Sequence, residues 1–110
     1  MSGKPLRWMH REVKTPPMSN DARREFGILL RELQNGESLP MPYSRPMPDI
    51  GPQCHELRVN DCKNTWRLVY RIDSVAIVIL EVFEKKTQST PRRIIKICRR
   101  RLKQYEVSFR

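Results

Sequence analysis

Apolar residues recur along this chain with two periods, and each change of period marks an element. Between residues 20 and 35, Ala22, Phe26, Leu29, Leu30 and Leu33 fall three and four apart, the spacing of one helical face. Ser19, Asn20 and Asp21 precede them as N-cap formers, and Gly36 follows as a stop, so the pattern predicts a helix over about 20–35. From residue 54 the period becomes two. In CHELRV (54–59), His55, Leu57 and Val59 alternate with Cys54, Glu56 and Arg58; in TWRLVYRI (65–72), Trp66, Leu68, Tyr70 and Ile72 alternate with Arg67, Val69 and Arg71. VAIVILEVF (75–83) is apolar almost throughout, which suits a strand covered on both faces. The connections at 60–64 and at Asp73-Ser74 are short turn sequences, and strands joined so closely pair antiparallel. A three-stranded meander follows, with its last strand central or well covered.

The rest of the chain completes the architecture. Thr90 is a cap former and Pro91 suits a first helical position; Ile95, Cys98, Leu102 and Tyr105 then recur at helical spacing, with Arg92, Arg93, Lys96, Arg99, Arg100, Arg101 and Lys103 between them. Leu6, Trp8 and Val13 suggest a short first strand ahead of Thr15-Pro16-Pro17. Residues 39–52 hold Pro40, Pro42, Pro46, Pro48 and Pro52. That excludes regular helix and central strand and predicts a loop whose Met41, Met47 and Ile50 dip into the core. The order strand–helix–loop–three antiparallel strands–helix is α+β, with about four strands, a helix in the N-terminal half and a basic C-terminal helix. At 110 residues one domain spans 1–110, with residues 1–5 flexible.

Charge narrows the partners. Lys and Arg total 22 against 12 acids, a net charge of +10, which favours polyanions: RNA, DNA, an anionic membrane or an acidic protein. The longest apolar run, Val75–Leu80, is far short of the roughly 20 residues that span a bilayer. The N-terminal MSGKPLRWMHREVK lacks the apolar core of a signal peptide, so the expected location is cytoplasmic. Three cysteines, Cys54, Cys62 and Cys98, are an odd count and imply no disulfide framework. Cys54-His55 with Cys62 fits no zinc spacing, and neither metal nor cofactor is expected. The four glycines are scattered, so there is no phosphate loop. His55 shares a face with Leu57 and Val59 and reads as half-buried and structural; His10 lies in an ill-defined stretch.

One constellation could carry chemistry. Arg58 and Arg67 lie on neighbouring strands, opposite the large apolar residues. Glu81 and Phe83 share a face by period two, and the chain continues to Lys85. These groups would converge at one end of the sheet. Arginine offers a planar fork to phosphate oxygens and lysine a mobile charge, while an aromatic beside them can stack on an unpaired base. That set suits single-stranded RNA. It also suits a solvated strand face with Phe83 in the core. The basic positions of the last helix fit phosphates, an acidic protein segment or plain solvent equally.

Four motifs in order carry a resemblance. Arg45-Pro46-Met47, His55-Glu56-Leu57-Arg58, Trp66-Arg67-Leu68-Val69-Tyr70 and Phe83-Glu84-Lys85-Lys86-Thr87 with Thr90-Pro91 resemble the HigB-like, phage-derived branch of the RelE/ParE toxin superfamily, over about residues 6–106. The resemblance implies a RelE-like toxin of a type II toxin–antitoxin pair, typically a metal-independent mRNA endoribonuclease that in many members is ribosome-dependent. The implied partners are a helix-turn-helix, HigA-like antitoxin, the ribosome and mRNA, with no membrane. Carried onto this chain, Arg58 and Arg67 become phosphate and transition-state clamps and Lys85 the proton-transfer group, its pKa lowered by neighbouring positive charge. Phe83 would stack or shape the pocket, Lys86 and Arg92 would hold flanking phosphates, and Glu81 would face the RNA. The chain departs from the pattern at Glu81 (commonly histidine), Trp66 (commonly tyrosine) and Ile94 (commonly glutamate). Two other readings remain: a ParE-like toxin acting on a protein such as DNA gyrase, and a non-catalytic RNA- or DNA-binding module.

Overall fold

In chain order the elements are β1 (Leu6–Trp8), α1 (Asn20–Gln34), β2 (Ser44–Pro46), β3 (Cys54–Asp61), β4 (Asn64–Ile72), β5 (Ile77–Lys85) and α2 (Arg92–Phe109). They come from a computed structural model that describes residues 3–9, 18–62, 64–86 and 89–109. His10, Val13, Thr15-Pro16-Pro17 and Thr87, weighed in the sequence, lie outside the described residues. The class is α+β, and the sheet has five strands in the order β1-β5-β4-β3-β2. β3, β4 and β5 form the antiparallel meander. β1 runs parallel to β5 on its far side.

The added strand is β2, inside the proline-rich stretch read from sequence as loop. It pairs antiparallel with β3 at the sheet edge, placing Arg45 opposite Glu56 and Pro46 opposite His55. An edge strand can carry proline because one side has no ladder to serve. Met47 and Ile50 are buried just beyond it, as the pattern predicts, whereas Met41 is 67% exposed. Lys4 and Pro5 are bonded as well: Lys4 N–H donates to Gln34 O at 2.9 Å and Pro5 O accepts from Ile77 N–H at 2.9 Å.

Alternation along the strands separates two cores. Leu57, Val59, Trp66, Leu68, Tyr70, Ile77 and Ile79 meet the apolar stripe of α1 (Ala22, Phe26, Leu29, Leu30, Leu33). On the opposite face, Cys54, Val69, Val78 and Leu80 meet Ile94, Cys98, Leu102 and Tyr105 of α2. The run Ile77–Leu80 is completely buried because helices cover both faces of β5.

The helix ends follow from capping chemistry. Ser19 caps α1, its hydroxyl accepting from Ala22 N–H at 3.0 Å. At the other end Gly36 sits at φ 91°, and Gly36 N–H and Glu37 N–H donate to Leu33 O and Glu32 O, the paired bonds of a Schellman stop. α2 begins one residue later than Pro91 at the first position would require. Pro91 O accepts from Ile95 N–H at 3.2 Å, so Pro91 holds the cap position and the Thr90 hydroxyl is used elsewhere.

β4 and β5 are not in uniform register. Tyr70 faces Ile79 and Val69 faces Glu81, so Leu80 is an extra residue in a β-bulge. The bulge reverses the phase of β5. Val78 and Leu80 point to α2 before it; after it the α2 face belongs to Glu81, Phe83 and Lys85, while Val82 turns to the α1 core. Arg101 of α2 holds the bulge, its Nη1 donating to Leu80 O at 2.7 Å and lying 3.2 Å from Glu81 Oε1.

Candidate functional site

The α2 face of the sheet carries a polar cluster at the end where β5 finishes. Register fixes its layout. Arg58, Arg67 and Phe83 stand side by side across β3, β4 and β5, and Lys85 follows opposite Thr65. The adjacent row runs Arg45, Glu56, Val69 and Glu81. Thr90, just ahead of α2, reaches in from above.

Glu56 is the hub. Its side chain is fully buried, and burying a carboxylate is costly unless it is paired and hydrogen-bonded. Arg67 Nη1 donates to Oε1 at 2.5 Å, and the Thr90 hydroxyl donates to Oε2 at 2.8 Å. Arg45 Nε lies 3.3 Å from Oε1, an ion-pair distance without hydrogen-bond alignment. Arg45 Nη2 is 3.5 Å from Thr90 Oγ1. The carboxylate thus fixes both guanidiniums and ties the start of α2 to the sheet.

Positive charge remains in excess. Arg45, Arg58, Arg67 and Lys85 surround this single carboxylate. Lys85 is 8% exposed, and among the described residues neither its Nζ nor Arg67 Nε has a hydrogen-bond partner. Burial holds the Lys85 pKa below its ordinary value; Arg67, Arg45 and Arg58 push the same way and Glu56 opposes them. The direction matches the sequence expectation, but burial outweighs neighbouring charge as its cause. Buried donors without acceptors, in a cationic site, suit an oxyanion, and a lysine shifted downward gives up its proton more readily than an exposed one.

The other sequence candidates are placed as follows. Phe83 is half-buried, packed on the α2 core beside Arg67. Lys86 is exposed just past β5, and Arg92 is exposed in the first turn of α2. Glu81 is 9% exposed, accepts from Val82 N–H at 3.1 Å and pairs with Arg101, which makes it part of the bulge clamp. Ile94 is buried in the α2 core. His55 stacks on Tyr70 with ring centroids 5.4 Å apart, and burial lowers its pKa, so it is held neutral. Burial raises the Cys54 thiol to about 11 and the Cys98 thiol to about 12, which leaves both protonated and unreactive.

Three site residues carry roles that sequence reasoning did not give them: Arg45, Glu56 and Thr90. The signal for Glu56 was present. An acid on the inward phase of a strand requires a cationic partner, and Arg67 shares that phase on the next strand. Arg45 and Thr90 depend on tertiary placement and left no such mark.

Two surfaces adjoin the cluster. A cleft of about 240 Å³ runs between β2 and the start of α2, lined by Arg45, Pro46, Met47, Asp49, Thr90 and Ile95 among others. On the outside of α2, Arg92, Arg93, Lys96, Arg99, Arg100 and Lys103 are all exposed and recur at helical spacing opposite the buried stripe, a continuous basic ridge. Among the described residues no group of His, Cys, Asp and Glu is placed to hold a metal ion, and no helix is long and apolar enough to cross a membrane.

Residues 17–103 match the family described as Phage derived protein Gp49-like (DUF891). No curated protein matches the chain. The matched span takes in α1, β2 to β5, most of α2 and every residue of the Glu56 cluster. The chain therefore belongs to the phage-derived Gp49-like family, a toxin-like family associated with RelE/HigB-like toxins.

Proposed function

We propose that this protein is the toxin of a type II toxin–antitoxin pair and that it cuts mRNA on the ribosome, using basic side chains rather than a metal ion. The observation that carries the reading is the buried Lys85 side chain, which has no hydrogen-bond partner among the described residues and lies in the field of Arg45, Arg58 and Arg67. A phosphodiester supplies what that cluster lacks: a diffuse anion with several acceptor oxygens and a nearby proton to move.

The chemistry needs three things. The 2′-hydroxyl of one nucleotide attacks the adjacent phosphorus, forming the O2′–P bond as the bond to the 5′-oxygen of the next nucleotide breaks. Its proton passes to neutral Lys85 Nζ, and the departing 5′-oxygen takes a proton from solvent or from the lysine so charged. Negative charge builds on the phosphoryl oxygens meanwhile, and Arg58 and Arg67 stabilise it electrostatically. Glu56 positions Arg67 and Arg45. Phe83 bounds the site for a base, and Lys86 and Arg92 hold flanking phosphates. The α2 ridge offers salt-sensitive contact to ribosomal RNA. The expected partner off the ribosome is a HigA-like helix-turn-helix antitoxin.

The test is primer extension on a reporter mRNA after induced expression in a bacterial host. Wild type is compared with Arg58→Ala and Lys85→Ala, each checked for folding by circular dichroism. New 5′ ends inside codons, lost in both variants, support the reading. Growth arrest with intact mRNA refutes it and directs attention to a protein target such as gyrase.

A further inference from the structure

The cleft beside the Glu56 cluster has a built floor, a charged rim and a fixed frame. Met47 is 7% exposed and Ile95 packs on the same core, so the floor is apolar and set by the fold. Arg45 and Thr90 belong to both cleft and cluster, so whatever fills one touches the other. Asp49 stands on the rim. Its backbone carbonyl is pinned by Arg99 Nε at 2.6 Å, and among the described residues no cation pairs with its carboxylate. In a chain of net charge +10, an unpaired acid next to a phosphate-seeking cluster repels the backbone of RNA. It suits a group that brings N–H donors.

At about 240 Å³ the cleft is below the ~300–1,000 Å³ of drug-sized ligand sites and suits one ring system. A flat apolar body with polar edges is a nucleobase. We propose that this cleft holds the unpaired base flanking the attacked phosphate, with Met47 and Ile95 against its face and Asp49 reading N–H donors along its edge. A carboxylate only accepts hydrogen bonds, so it favours edges with adjacent donors. Guanine, with its ring N–H beside an amino group, fits best, and edges that offer a lone donor fit less well. Arg45 then links the base in the cleft to its phosphate at the cluster. Asp49 and Ile95 become specificity residues, distinct from the groups that move protons or bind the phosphoryl oxygens. The inference rests on the RNA-cleaving reading of the site.

The test maps cut sites by primer extension across several transcripts in a translation reaction with purified wild type, Asp49→Asn and Ile95→Trp. Asp49 is exposed and Ile95 half-buried, and thermal melting checks each variant. The expected result is cleavage by wild type with one base enriched beside the cut. Asp49→Asn should reduce that enrichment at least about threefold, with cuts spread to sites flanked by the other bases. Ile95→Trp, which fills the cleft, should raise KM about tenfold with kcat within twofold. Folded variants that cut at wild-type positions with wild-type preference overturn the cleft assignment alone. A wild type that cuts no RNA overturns the functional reading and this inference together.

Discussion

At Glu56 a fully buried carboxylate holds two guanidiniums and a hydroxyl, so deleting it leaves the buried Arg67 without its counter-ion. Breaking a buried pair from one side typically costs about 3–5 kcal/mol. Glu56→Ala is expected to lose stability on that scale in urea unfolding. Adding Arg67→Met should recover much of it; a double variant as unstable as the single one would discredit the pairing argument. Lys85 works in the opposite sense. Its folded pKa lies below the ordinary 10.5, so the unfolded chain binds more protons. Stability is therefore fully present above pH 10.5 and falls as pH drops through the folded value. At neutral pH the charged lysine weakens the fold. Lys85→Met should unfold at the same or a higher urea concentration while cutting at least about 100-fold more slowly. For wild type, the cutting rate should climb with pH and level off below pH 10.5, because the proposed mechanism uses neutral Lys85 as the base. A flat pH–rate profile would remove Lys85 from proton transfer.

At the scale of elements, α2 divides into a buried stripe that builds the second core and an exposed basic ridge, tied to the loop after β2 where Arg99 meets Asp49. Neutralising Arg93, Lys96, Arg100 and Lys103 to Gln should barely move the melting temperature, since exposed substitutions stay within about 0.5 kcal/mol each. RNA affinity should become less salt-dependent, by about 0.7 in log–log slope for each single-strand phosphate that is no longer neutralised. An unchanged slope in a binding titration would mean that the ridge is only solvated. The same elements show what the sequence could and could not reveal. α1, β3 and β4 were legible because each keeps one period from cap to turn. β2 was not, because three residues ending in proline have no period to read. Pro91 misled by one position because Thr90 turns its hydroxyl to Glu56 instead of capping. In the cluster, Arg58, Arg67, Phe83 and Lys85 were legible as same-face residues. The Glu56 hub was not assembled in advance, since it joins β2, β3, β4 and the α2 approach, and only tertiary register brings those together.

The whole molecule is a sheet between two helices, and its acid sensitivity should reflect that closure. His55 is half-buried against Tyr70, and burial lowers its pKa from 6.5. The unfolded chain takes up that proton first, so stability is retained above pH 6.5 and lost as pH falls below it. Urea midpoints at pH 7.5 and pH 5 should differ for wild type and differ less for His55→Phe. An equal drop in both would place the acid-sensitive group elsewhere. Net charge acts at this scale too. At +10 the molecule repels itself and draws polyanions at long range, so a protein that covers the cluster gains from an acidic surface.

The bulge at Leu80 also bears on how relatives of this chain should be aligned and how they can change length. Counting by twos from Val78 through a regular strand leads to Val82 and Glu84, and it misassigns the face that carries the cluster. In a relative whose β5 is one residue shorter, the gap belongs opposite Leu80. A codon lost there removes a core leucine, about 2–5 kcal/mol, yet keeps every later residue in step with β4. A codon lost between Glu81 and Lys85 turns the lysine to the α1 side, away from Arg45, Arg58 and Arg67, with all four cations still encoded. A strain carrying the Leu80 deletion should keep some toxicity, and one carrying the Val82 deletion should grow freely. One-codon slips in this short window would then be an easy route by which such a gene falls silent.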